Sequence, residues 1–128
     1  MCREKDLLLI IDEVQTGIGR TGSLFCFQQH GIQPDIVTMA KGIGGGVPVG
    51  AVMAAKSCCD VLTPGTHATT FGGSPTVCAA ANAVLSIVRE PAFLNEVRQK
   101  GDYLKNKILA LHAPMIEGVR GMGLMLGI

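Results

Sequence analysis

Two short strand-like stretches, each stopping at or just before a chemically distinctive residue, constrain the fold of this chain most. Residues 7–11, Leu-Leu-Leu-Ile-Ile, are continuously apolar and end at Asp12. Residues 35–39, Asp-Ile-Val-Thr-Met, end just before Lys41. The continuous apolar run 7–11 is expected of a strand covered on both faces, as in the parallel sheet of an α/β protein, and 35–39 reads as a second buried strand. A third strand is expected over residues 49–54. Between the first two, Gly17, Gly19, Gly22, Gly31 and Pro34 punctuate residues 16–34 as a loop, in which Phe25, Cys26 and Phe27 can form one helical turn. Gly44-Gly45-Gly46-Val47-Pro48 is a flexible turn after Lys41.

The second half has a different period. Residues 57–62 are expected to form a short helix and residues 63–75 a polar, glycine-rich loop. Pro75 suits the first position of a helix, where its missing N–H costs nothing, and residues 76–88 are Ala-rich. A second helix is expected over about residues 92–111, because Leu94, Val97, Tyr103, Leu104, Ile108 and Leu111 recur at helical spacing with Lys and Glu between them. Gly101 should weaken its middle by roughly 1 kcal/mol relative to Ala. Pro114 ends that region. Residues 119–128 are expected to start a new strand with no return partner, as in a fragment or in a chain whose partner strands come from elsewhere.

Composition narrows the function classes. The chain has 128 residues, a net charge of +1 and 48% hydrophobic residues, enough for one domain with a core. Lys and Arg are scattered, so no basic stripe points to nucleic acid. Aromatic residues are 4%, with 17 Gly, which fits a glycine-turned enzyme core better than an aromatic recognition surface. No apolar run approaches the roughly 18–20 residues needed to span a bilayer, and Met1-Cys2-Arg3-Glu4-Lys5-Asp6 is too charged for a signal peptide. The five cysteines include no C-x-x-C pair and are expected to be reduced thiols of a cytoplasmic protein. His30, His67 and His112 lack metal-ligand spacing.

Three constellations carry chemistry. Asp12 closes a buried strand, and in open α/β sheets ligands bind beyond such carboxyl ends. Lys41 lies between a strand and a glycine-rich turn, where burial or a neighbouring cation can leave its amine unprotonated. One cofactor needs both groups: pyridoxal 5'-phosphate takes a lysine for its Schiff base and an acid beside its pyridine nitrogen. Thr69-Thr70-Phe71-Gly72-Gly73 adds two hydroxyls and a flexible backbone suited to a phosphate or a carboxylate. Each also has an ordinary structural explanation when taken singly: a helix N-cap, a solvated lysine, a surface loop. Gly17-Ile18-Gly19-Arg20-Thr21-Gly22 matches the G-x-G-x-x-G dinucleotide pattern. That pattern should follow its strand directly and open a helix, and here Asp12 to Thr16 intervene.

Together, in order, these residues resemble class III aminotransferases over essentially the whole chain. Asp12-Glu13-Val14-Gln15-Thr16-Gly17-Ile18-Gly19-Arg20-Thr21-Gly22 is similar to their pyridine-contact motif. Lys41 in Ala40-Lys41-Gly42-Ile43-Gly44-Gly45-Gly46 is similar to their Schiff-base lysine, and Thr66-His67-Ala68-Thr69-Thr70-Phe71-Gly72-Gly73-Ser74-Pro75 to their phosphate loop contributed across a homodimer. Within the class the last motif most resembles the acetylornithine subfamily, with ornithine, succinylornithine and 4-aminobutyrate aminotransferases as alternatives. The family often has Asn at the position of Ser74 and Ser at that of Thr69.

The resemblance implies a fold class, α/β, as part of the fold-type I large domain (three-layer α/β/α) with its linking helix and the start of the small domain. Residues 1–90 would be the later part of the cofactor-binding large domain, and 91–128 the linking helix and small-domain start. It also implies roles. Asp12 would pair with the pyridinium nitrogen, and Gln15 would lie near the ring hydroxyl. Val14 would pack on one ring face, and Glu13, within the cofactor-binding stretch, would orient the site without doing chemistry. Lys41 would form the Schiff base and shuttle the proton. Thr70 would bind the phosphate of the neighbouring subunit's cofactor and Thr69 would touch substrate. The implied reaction is transamination between an ω-amino acid and 2-oxoglutarate, with no role for nucleic acid or membrane. The family's upstream phosphate loop, stacking aromatic and substrate arginines have no counterpart in this sequence. A non-catalytic folding or dimerising module is the competing expectation, and the isolated chain is expected not to catalyse transamination.

Overall fold

A computed structural model describes residues 2–128. The elements in chain order are β1 (Ile10–Asp12), β2 (Ile36–Met39), β3 (Ala51–Ala54), α1 (Pro75–Val88), α2 (Pro91–Leu109), β4 (Arg120–Met122) and β5 (Met125–Gly127), with short 3-10 turns at Arg3–Lys5, Cys26–His30 and Lys41–Gly44. The first three strands make one mixed sheet in the order β1-β2-β3. β1 and β2 run parallel, with Asp12 beside Thr38, and β3 returns antiparallel to β2. Both parallel strands therefore end on the same edge, and Asp12 and Lys41 leave the sheet together there.

One face of the sheet holds the core. Val37 and Met39 alternate inward from β2 and meet Ile18, Phe25, Ile43 and Val88, with Leu24, Val84, Leu85 and Leu94 packed around them. Phe25 and Phe27 stack at 5.5 Å within the connection from β1 to β2. α1 opens with Pro75 at its first turn and lies against the Lys41–Gly44 turn. A Cβ at Gly45 would lie 2.7 Å from Val84 of α1, so glycine permits that approach, and its φ of 60° is open to glycine without strain.

Several expectations are corrected. β1 is shorter than the apolar run that predicts it, and Leu7, Leu8 and Ile10 are 56%, 61% and 58% exposed rather than covered on both faces. The physical reason is that β1 is an edge strand here, flanked on one side only, by β2. Residues 57–62 form no helix. Cys58 N–H donates to Ala55 O and Val61 N–H to Cys58 O, each spanning three residues, so the segment is successive tight turns. The C-terminal strand is not unpartnered: β4 and β5 form an antiparallel hairpin, turning at Gly123 with φ 53°. Gly101 is a close-packing position, because a Cβ there would fall on the Gly123 backbone. No helix opens at Gly22, which removes the dinucleotide alternative. Among the described residues no single helix is long and apolar enough to cross a membrane.

Candidate functional site

Asp12 is the last residue of β1, and its Oδ1 accepts a hydrogen bond from Val14 N–H at 2.9 Å, which bends the chain away from the strand. The side chain is exposed. The next residue turns the other way: Glu13 is 1% exposed. Its backbone N–H donates to Thr38 O at 2.9 Å, and its carbonyl accepts from Gly17 N–H at 2.9 Å. Its Oε2 accepts from Thr16 Oγ1 at 2.5 Å and its Oε1 from Phe27 N–H at 2.8 Å. The carboxylate is thus engaged within the 13–27 loop.

Val14, Gln15, Ile18, Arg20 and Lys41 line one cavity of about 500 Å³, which residues 124–126 of the C-terminal hairpin also line. Lys41 opens its 3-10 turn with φ 47°, and Ile18 has φ 52°. Neither is glycine, and for a β-branched residue such a backbone is a rare outlier of the kind that clusters at functional sites. The two meet through Gly42, at which a Cβ would stand 3.5 Å from Ile18 Cβ.

The structure therefore brings Val14, Gln15 and Lys41 together around one cavity, with Asp12 at the adjoining strand end. It does not bring Thr69 and Thr70 there. Residues 59–73 are all exposed, Phe71 is 84% exposed, and neither threonine lines the lysine cavity. Thr38, in register with Asp12, has a buried Oγ1 without a hydrogen-bond partner. Arg20, the contribution of the hairpin and the inward carboxylate of Glu13 were not expected from the sequence. Arg20 sits within the glycine motif of residues 17–22, whereas nothing in residues 124–126 signals a cavity wall.

The aminotransferase class-III family model matches residues 1–128. The chain belongs to the class III aminotransferases. It is 54% identical over 128 residues to the acetylornithine aminotransferase of Bacillus subtilis, covering 99% of this chain and 33% of that protein. The acetylornithine aminotransferase structure from Elizabethkingia anophelis superposes with a TM-score of 0.89 at 40% identity, over 98% of this chain and 32% of that one. An ornithine aminotransferase structure from Toxoplasma gondii, described with partial occupancy of PLP at its active site, gives 0.90 at 37% identity, over 98% of this chain and 30% of that one. The fold is accordingly the mixed α/β fold of pyridoxal-phosphate-dependent aminotransferases, and the chain spans about a third of the length of the relatives it matches.

Proposed function

We propose that this chain carries the catalytic centre of a pyridoxal-phosphate-dependent aminotransferase acting on an ω-amino acid. N2-acetylornithine with 2-oxoglutarate is the preferred pair, which would place the whole protein in arginine biosynthesis. The observation that carries this proposal is the left-handed backbone of Lys41 at a cavity shared with Val14 and Gln15, beside the strand end that presents Asp12. A cavity of about 500 Å³ is in the size range of cofactor sites, roughly 300–1,000 Å³. The donor set suits the group: an amine, an amide, an apolar β-branched wall and a carboxylate.

Pyridoxal phosphate, when bound, supplies an electron sink for a substrate carbanion. Asp12 would keep a proton at the ring nitrogen, and Gln15 would hold the ring hydroxyl by its side-chain amide. Val14 would cover one ring face and exclude water. The amine of Lys41 would hold the cofactor covalently and then move a proton at the substrate carbon as general base and acid. Thr70 and Thr69, exposed on their loop, would serve the phosphate and substrate of a second subunit in a homodimer. The two-part division at residues 90 and 91, the cytoplasmic location and the homodimer are part of the same proposal. The acetylornithine aminotransferases among the relatives favour the preferred substrate, and the Toxoplasma gondii ornithine aminotransferase supports ornithine as the second choice.

The test uses the full-length protein. Mixed with pyridoxal phosphate, reduced with borohydride and mapped by mass spectrometry, it should carry the label on Lys41, and Lys41→Ala should abolish it. A label on another lysine, or none, sinks the proposal. Comparing turnover of N2-acetylornithine with that of ornithine then separates the two substrates.

A further inference from the structure

The geometry points to Glu13 as a positioning residue that acts through Thr16 to hold Val14 and Gln15 against the lysine cavity. Glu13 is nearly inaccessible, and among the described residues no cation pairs with its carboxylate. Burying an uncompensated carboxylate is costly unless its lone pairs are satisfied. Here two donors satisfy them: Thr16 Oγ1 at 2.5 Å and Phe27 N–H at 2.8 Å. Phe27 belongs to the stacked pair with Phe25, which is in the core, so the carboxylate is moored at its far end to a rigid point.

The consequence is local. Glu13 and Thr16 bracket Val14 and Gln15, and the bond between their side chains closes a small ring around those two residues. Gly17 N–H, donating to Glu13 O, closes a second ring over the same stretch, and Glu13 N–H ties its start to Thr38 of β2. With both ends fixed, Val14 and Gln15 have little freedom left, and both line the cavity. The same loop continues into Ile18, which packs at Gly42 beside Lys41. One carboxylate with two acceptor oxygens does this where a glutamine would turn a donor toward Thr16. The clamp therefore organises three of the cavity's residues without touching a bound molecule.

This inference rests on the proposed cofactor chemistry, and the experiment separates the two. In full-length protein, Thr16→Val removes the hydroxyl, Thr16→Ser restores it, and Glu13→Gln removes one acceptor. Thr16→Val is expected to raise the pyridoxal phosphate dissociation constant about tenfold, the size of one charge-assisted hydrogen bond. Thr16→Ser should stay within about twofold of the parent, and adding Glu13→Gln to Thr16→Val should give little further loss, because the two side chains act as a unit. In the cofactor-free protein, hydrogen exchange over residues 14–18 should quicken in Thr16→Val. Parental cofactor affinity and parental exchange in Thr16→Val, with only a lowered melting temperature, would overturn the clamp. If that variant does not fold, Thr16→Ala, which also lacks the hydroxyl, is read against the same two outcomes. A parent protein that cannot be trapped at Lys41 refutes the cofactor proposal instead.

Discussion

Lys41 sits in a backbone conformation that glycine adopts freely and lysine does not. Its neighbour in space, Ile18, is in the same region and is a buried member of the core. Such a backbone persists only when surrounding contacts over-determine it, and here they do. Glu13 pins the loop before Ile18, Phe25 and Val37 pack with it in the core, and Gly42 leaves room for it beneath the lysine turn. Ile18→Ala should therefore destabilise the full-length protein by about 2–5 kcal/mol, toward the lower end because the smaller side chain eases the strained backbone. Denaturant unfolding measures this, and a change under about 0.5 kcal/mol, the level of a surface substitution, would contradict it.

At the scale of elements, α2 is held less by propensity than by where Gly101 lies. Judged by propensity alone, Gly101→Ala should strengthen the helix by about 1 kcal/mol. In the folded chain the added methyl would meet the backbone of Gly123, whose own missing side chain leaves room for Arg20 and Thr21. Helix, hairpin and site loop thus approach backbone to backbone at one point, and Leu124 N–H donates to Arg20 O there at 3.0 Å. Gly101→Ala is expected to cost about 1–3 kcal/mol, the usual penalty for overpacking, and a stabilised variant in the same unfolding measurement would show that the helix can shift freely. The exposed pair of Lys100 Nζ and Glu96 Oε2, 2.8 Å apart on α2, lowers the Glu96 pKa through its hydrogen bond and charge, and such surface pairs add little to stability.

Across the whole molecule, the accessible surface is 9157 Å², against about 6,500 Å² expected for a folded monomer of this size. Large apolar side chains are exposed in identifiable places: Leu7, Leu8 and Ile10 on and before β1, Val52 and Met53 on β3, and Phe71 on the threonine loop. The chain spans about a third of its relatives' length. The isolated 128-residue chain is therefore expected to bind the dye ANS strongly and to show no transamination, whereas the full-length protein should bind little dye. A dye-silent, active 128-residue chain would refute both expectations.

The placement of several candidate site residues was legible in the sequence, because element ends and glycine turns are set largely by local residue type. Asp12 at a strand end, Lys41 before a glycine turn and Pro75 opening a helix each follow from local preferences that neighbours in sequence largely decide. The tertiary structure alone decided the rest. The cover of residues 7–11, the fold of 57–62 and the pairing of 119–128 depend on which surfaces meet, and an apolar run looks the same whether its partner is present or not. Glu13 shows the difference most clearly. Its place beside Asp12 is written in the chain, but its inward carboxylate required Thr16 and Phe27 to arrive from 3 and 14 residues away, and only a closed loop brings them there.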